Sequence, residues 1–158
     1  LFVKSFDGSG DTFSLFKHTL SNGVVSAAEM LDTGVKACSI IGSDMWYRRS
    51  VSGSSLCDLY KYSAEKEKID GDVASFARMS DGSVLIVKNF VSSPDGDIAD
   101  LYLYDGKKAA PVSEKAELKN MKYSDKGIAF IRNGGDLCIY SKNKLAIIDS
   151  DAYNIIAY

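Results

Sequence analysis

The chain contains one histidine, His18, which any Ser-His or Cys-His catalytic pair would have to use. Nothing in the sequence brings a nucleophile to it. Ser141 and Lys144 have the spacing of a Ser-x-x-Lys nucleophile motif, but that motif needs both residues on one helical turn. Here Lys142 and Asn143 lie between them on what reads as a hairpin turn. The sequence therefore predicts no catalytic residues, and the protein is not expected to be an enzyme.

Two acidic loops have the residue types that bind calcium. Asp7 and Asp11 enclose a Gly-Ser-Gly stretch, and Asp95 and Asp97 enclose Gly96. Oxygen ligands at alternate positions suit hard cations, but neither loop supplies in register the distal glutamate that an EF-hand needs. Turn formation explains the same composition. The four aspartates are weak calcium candidates, and the sequence predicts neither a metal site nor a cofactor.

The densest group of interface-type side chains is Trp46, Tyr47, Arg48 and Arg49. They lie in a predicted strand that runs into a loop. Strand alternation would send Tyr47 and Arg49 to one face and Trp46 and Arg48 to the other. Core packing is the favoured interpretation of this group, with an arginine near the loop reaching a partner. The four residues are the candidates for partner binding.

The three cysteines are Cys38, Cys57 and Cys138. Their number is odd, no Cys-x-x-Cys occurs, and they fall at different places in the repeat described below. A disulfide framework is therefore not expected, and buried small side chains are the better interpretation. Unpaired cysteines favour a reducing compartment.

Length and composition indicate one soluble globular domain, since 46% of the 158 residues are hydrophobic and 25% are charged. A net charge of −2 argues against a nucleic acid or an anionic membrane as partner. No apolar run approaches the roughly 18 residues of a membrane span. The sequence opens without methionine inside a predicted strand, so we expect a piece of a longer protein.

One segment recurs along the chain, and its fullest form is Asp-Leu-Tyr-x-Tyr. Its copies begin at Thr12, Asp58, Asp100 and Asp136, which are 46, 42 and 36 residues apart. A return at about 40 residues is typical of propeller blades. Each copy is expected to be the third of four strands in a repeat unit.

The predicted units cover residues 35–69, 73–112 and 118–148, and a split unit combines 152–158 with 1–26. In the unit at 73–112, Asp81-Gly82 predicts a tight hairpin turn between the first and second strands. The segment 152–158 is predicted to be a lone first strand that pairs beside residues 1–6, within one chain or between chains. Read alone, residues 26–31, 63–68 and 113–121 favour short helices, but the repeat register favours strands and connections there.

The order of these features resembles bacterial β-propeller repeats. The features are Asp-Leu-Tyr-x-Tyr, an Asp-Gly turn, a lysine-rich fourth strand and a Ser-Asp-Gly turn into an apolar strand. The resemblance is to the TolB-like and WD-repeat-type blades of cell-envelope proteins. It implies an all-β propeller, or a propeller segment, of about four four-stranded antiparallel blades over residues 1–158. It also implies an extracytoplasmic location, which the unpaired cysteines oppose.

The function expected from this resemblance is that of a non-catalytic scaffold that binds a protein or another ligand on its loops. The candidate loops are residues 7–11, 50–55, 92–97 and 133–135. The partner is expected to be another protein, the remaining blades of a parent chain, or a second copy. The alternatives are a glycan- or calcium-linked binding module of an envelope protein, and the propeller subdomain of a larger hydrolase or lyase.

Overall fold

Antiparallel β-strands are the regular elements of the computed structural model, which describes residues 2–6, 10–52, 56–124, 126–132 and 134–156. The prediction of an all-β, antiparallel chain is confirmed. The chain divides into two compact units, Leu1–Gly71 and Asp72–Tyr158. Within the described ranges, no helix has the length and apolar character needed to cross a membrane.

The first unit contains a six-stranded sheet in the order β1-β2-β5-β6-β7-β8 and a separate hairpin, β3-β4. Its strands are β1 (Phe2–Phe6), β2 (Phe13–Lys17), β3 (Leu20–Ser21), β4 (Val24–Val25), β5 (Glu29–Ile41), β6 (Asp44–Ser50), β7 (Cys57–Tyr62) and β8 (Lys66–Asp70).

The second unit contains one seven-stranded sheet in which sequential strands are neighbours, from β9 at one edge to β15 at the other. Its strands are β9 (Val73–Arg78), β10 (Val84–Val91), β11 (Ile98–Tyr104), β12 (Ala109–Ser124), β13 (Gly127–Arg132), β14 (Leu137–Ser141) and β15 (Lys144–Asp149).

Two long strands, β5 and β12, cross positions where the sequence suggested boundaries between units. The boundary between 112 and 118 lies inside β12, so the sheets have six, seven and two strands instead of four strands each. The short helices that residues 26–31 and 113–121 favour when read alone are also absent, because most of those residues lie in β5 and β12. Ladder pairing outweighs local helix propensity there.

Strand β12 changes its neighbour along its length. Its first half pairs with β11, from Ala109 opposite Tyr104 to Glu117 opposite Ile98. Its second half pairs with β13, from Ala116 opposite Arg132 to Ser124 opposite Gly127. The two ladders overlap only at residues 116–117, so each half of the strand has its own neighbour.

A backbone residue in the left-handed conformation recurs where each predicted fourth strand meets the next first strand. The positive φ angles are 66°, 58°, 52° and 66° at Gly34, Asp72, Lys115 and Asp151. At three of these junctions, an aspartate two residues earlier accepts a hydrogen bond from the next backbone N–H. These bonds are Thr33 N to Asp32, Gly71 N to Asp70 and Ser150 N to Asp149, at 2.8–2.9 Å. The same hydrogen bond between the aspartate side chain and the next backbone N–H therefore recurs beside the left-handed residue at three of the four junctions.

Each unit has its own hydrophobic core, built largely from the repeated strands. In the second unit, Leu101 of β11, Phe130 of β13 and Cys138 of β14 are 0% exposed and belong to one cluster. In the first unit, Leu15 of β2 and Tyr47 of β6 are equally buried in a second cluster. The apolar side chains of the recurring segments thus supply burial, as the repeat pattern predicted.

The C-terminal segment differs from its prediction, because residues 152–156 form no strand and residues 157–158 lie outside the described ranges. Its contacts are isolated hydrogen bonds, from Ala152 N to Gly135 O at 2.8 Å and from Asn120 Nδ2 to Tyr153 O at 3.3 Å. No ladder partner for it occurs among the described residues. Its pairing with residues 1–6 stays a prediction.

Candidate functional site

The four candidate partner-binding residues lie in the central strand β6 and differ in exposure. Trp46 is 3% exposed and Tyr47 is 0% exposed, so both rings pack in the interior, as the core interpretation predicted. Arg48 and Arg49 are half-buried. Only the arginines therefore keep surface that a partner could reach, and their role in binding stays a prediction.

A buried carboxylate, Asp32 of β5, organises the polar network next to this strand. Its Oδ2 lies 2.6 Å from Lys66 Nζ, and its Oδ1 lies 3.3 Å from Arg49 Nε. The Tyr47 hydroxyl donates to Oδ2 at 3.1 Å, and the Thr33 N–H donates to Oδ1 at 2.9 Å. Asp32 is only 8% exposed, so these four partners compensate for the loss of its hydration.

Stacked aromatic rings extend the Asp32 network across the sheet. The Tyr47 and Tyr60 rings are stacked at 5.5 Å, and Lys66 Nζ lies 4.5 Å from the centre of the Tyr60 ring. Burial, followed by the nearby Asp32 carboxylate, raises the pKa of the Tyr47 hydroxyl well above its ordinary value. Tyr47 therefore stays protonated and keeps donating to Asp32.

The Asp32 network has a structural role, because its contacts connect residues of different strands. Both carboxylate oxygens have partners, and the Tyr47 hydroxyl donates its proton to one of them. Sequence reasoning missed Asp32. The signal that could have found it is the shared pattern Leu31-Asp32, Ile69-Asp70 and Ile148-Asp149 at repeat junctions.

Among the described residues, the calcium candidates Asp11, Asp95 and Asp97 have protein partners of their own. Asp11 forms an ion pair with Lys36 at 3.0 Å, which lowers the pKa of its carboxyl group. Asp97 accepts a hydrogen bond from Ser92 Oγ at 2.7 Å, and Lys119 Nζ contacts the backbone carbonyl of Asp95. Asp7 lies outside the described residues. In the ranges described, no three or more His, Cys, Asp or Glu side chains group to hold a metal ion.

The contacts of His18 and the burial of the cysteines suit structural roles. His18 Nδ1–H donates to the Ser26 carbonyl at 3.0 Å, at the base of the β3-β4 hairpin. Cys57 and Cys138 are buried, Cys38 is half-buried, and all three are free thiols. Burial raises the pKa of the Cys138 thiol, which disfavours the reactive thiolate.

Two of the loops proposed for ligand binding, at 92–97 and 133–135, are held by internal polar contacts in their described parts. In the loop at 92–97, Gly96 N donates to Ser93 O at 3.0 Å. Arg132 and Asp136 form an ion pair at 2.9 Å across the loop at 133–135. Residues 7–9, 53–55 and 133 lie outside the described ranges. The contacts at 92–97 and between residues 132 and 136 are those of compact turns.

The edge strand β15 is a different candidate for binding, because it is the last strand of its sheet. All six of its residues are exposed, and Leu145, Ile147 and Ile148 are 40%, 55% and 58% exposed. It follows a two-residue turn, Lys142-Asn143, whose φ angles of 50° and 60° are those of a type I′ hairpin.

The hydrogen-bonding direction of β15 follows from this turn. Ser141 and Lys144 close the hairpin and exchange the first ladder bonds. Pairs then alternate, so the N–H and C=O groups of Leu145 and Ile147 point away from β14. The edge therefore offers hydrogen-bonding groups together with exposed aliphatic side chains.

Comparison with protein-family models, with curated proteins and with solved structures finds no match.

Proposed function

We propose that this protein is a non-catalytic β-sheet scaffold that binds an extended segment of a partner protein along β15. The carrying observation is that β15 is an open edge, exposed over its whole length, with aliphatic side chains beside outward N–H and C=O groups. Strand addition satisfies such groups with main-chain hydrogen bonds, and the exposed side chains supply the specificity.

The composition of β15 supports binding over simple solvation. Native edge strands are usually blunted by charge, proline, short length or a β-bulge, and in β15 the register shifts only near the end, at Ile148. In β15 the charged residues, Lys144 and Asp149, stand only at the two ends, and residues 145–148 between them are all apolar. Three neighbouring aliphatic side chains at 40–58% exposure favour a protein partner.

A relationship to β-propeller repeats is the architectural part of this proposal. Its support is the four copies of the recurring segment together with the four left-handed junctions at Gly34, Asp72, Lys115 and Asp151. In this interpretation each junction ends one blade and begins the next, and β15 is the outer strand of the last blade. Propellers use such repetition to present binding surfaces without requiring catalysis.

The test is a selection of random linear peptides on the immobilised chain, followed by affinity measurements on variants. Ile147→Lys places a charge on the edge and should weaken the selected peptides at least about tenfold. Val25→Lys is the matched control, because Val25 is a β-strand residue of similar exposure, 52% against 55%, in a different sheet. Peptides that bind both variants equally well would overturn the proposal.

A further inference from the structure

A second candidate site is a cavity of about 420 Å³ in the second unit, where three turns meet. The turns contribute residues 79–83 between β9 and β10, residues 124, 126 and 127 between β12 and β13, and residues 140–143 between β14 and β15. The volume falls within the roughly 300–1,000 Å³ that small-molecule sites occupy. The described residues of the loops that the sequence suggested for binding do not line this cavity.

The turns that line the cavity are fixed by internal bonds. Met79 N donates to Ser83 O at 2.9 Å, and Ser83 donates from both N and Oγ to Asp81 Oδ1, at 2.9 and 2.6 Å. These bonds lower the pKa of the Asp81 carboxyl group, so it is ionised and able to accept hydrogen bonds. At the opposite wall, a Cβ at Gly127 would overlap the Tyr140 carbonyl oxygen, so only glycine allows this approach.

The lining combines an apolar floor with a polar rim. Met79, Leu103 and Ile128 supply the floor, next to the half-buried ring of Tyr140. The Tyr140 hydroxyl donates to Asn143 Oδ1 at 3.4 Å, which leaves the Asn143 amide N–H groups as donors.

The rest of the rim supplies both hydrogen-bond donors and acceptors. It includes Asp81, Lys126 and Lys142, together with serine hydroxyl groups. Within the described ranges, neither lysine ammonium has an ion-pair partner.

We propose that this cavity binds a sugar residue of a glycan. A pyranose ring carries hydroxyl groups that both donate and accept, and it has an apolar face that packs on an aromatic ring or an aliphatic floor. The Tyr140 ring, the floor and the mixed rim match these two requirements. A simple anion fits less well, because the carboxylate of Asp81 shares the rim with the two lysines.

The experiment records ¹H–¹⁵N NMR spectra of the full 158-residue chain with maltose, cellobiose or chitobiose, and with inorganic phosphate as the anion control. At least one disaccharide should shift the backbone amides of the three turns. Asn143→Gly keeps the left-handed turn and removes the amide, and it should lower affinity about threefold to tenfold. Asn22→Gly is the matched control, because Asn22 has the same left-handed conformation in the β3-β4 turn.

Three results would overturn this assignment. The first is that none of the three sugars shifts these amides at millimolar concentration, and the second is that phosphate shifts them and no sugar does. The third is that Asn143→Gly binds the sugar as tightly as the unmodified chain. Unchanged binding by Asn22→Gly, together with weaker binding by Asn143→Gly, supports the assignment.

Discussion

Lys66 Nζ lies 2.6 Å from Asp32 Oδ2, although the two residues are 34 positions apart and belong to strands separated by two others in the sheet. The stacked rings of Tyr47 and Tyr60 occupy the intervening strands, and the lysine passes over Tyr60 to reach the carboxylate. One contact thus joins the start of a repeat junction, in β5, to the outer strand β8. In the first unit, side-chain contacts between non-adjacent strands therefore add to the hydrogen bonds between adjacent strands.

Removal of the Asp32 carboxylate should destabilise the protein. Asp32→Ala leaves Lys66, Arg49 and the Tyr47 hydroxyl without their acceptor, and we expect a loss of about 1–3 kcal/mol, limited by the partial exposure of both cations. Chemical denaturation measures it. Asp11→Ala is the control, because its ion pair with Lys36 is on the surface, with the carboxylate 76% exposed. Equal stability of the two variants would show that the Asp32 network does not stabilise the fold.

The raised pKa of Tyr47 predicts a loss of stability at alkaline pH. Below pH about 10, both the folded and the unfolded chain keep the phenolic proton. Above that pH, the unfolded chain releases it first, so unfolding is favoured as the pH rises. Tyr47→Phe should flatten this alkaline decline in melting temperature, whereas Tyr153→Phe, at an 89% exposed ring, should leave it unchanged. An identical decline in the Tyr47→Phe variant would refute the prediction.

The close approach at Gly127 predicts that a single methyl group is costly. Gly127→Ala combines a φ of 139° with an overlap between Cβ and the Tyr140 carbonyl oxygen. Gly106→Ala separates the two effects, because Gly106 has a φ of 100° and no atom lies within 4 Å of the position that its added methyl group would take. Thermal unfolding should show a loss of about 1 kcal/mol or more at Gly106 and at least twice that at Gly127. Similar losses of stability in the two variants would contradict the prediction, because they would mean that the β12-β13 turn shifts away from the Tyr140 carbonyl oxygen at little cost.

Equivalent leucines in the repeated third strands differ in burial, and the loss of stability on replacement by alanine should differ in the same order. Leu101→Ala removes a side chain that is 0% exposed and should cost about 2–5 kcal/mol. The recurring segment alone predicts equal costs for Leu101 and Leu137, but Leu137 is only half-buried in the structure, so Leu137→Ala should cost less. Denaturant unfolding of both variants shows which of them loses more free energy of unfolding. A loss below about 0.5 kcal/mol at Leu101 would contradict its place in the core.

Local patterns predicted the strands and turns of this protein well. The turn at Asp81-Gly82 joins β9 to β10, and the recurring segments at Asp58, Asp100 and Asp136 lie in or beside β7, β11 and β14. These features depend on residues close in sequence, such as turn formers between runs of apolar residues, and such signals are visible in one chain.

The continuity of β12 and the Asp32 network could not be predicted in the same way. β12 extends across a helix-favouring stretch because β11 and β13 each supply a ladder partner for one of its halves. Three of the four partners of Asp32 are side chains 15 to 34 positions away, so its burial cannot be predicted from local propensity. The cavity has the same origin, since its three turns come from separate hairpins.

The proposal that β15 receives a partner strand is tested most directly by amide hydrogen exchange at Leu145 and Ile147, with and without a selected peptide. Their N–H groups point away from β14, so they should exchange rapidly in the free chain and slowly in the complex. Slowed exchange at these two amides is the predicted result. Unchanged exchange there, with protection confined to loops or turns elsewhere, would contradict the proposal.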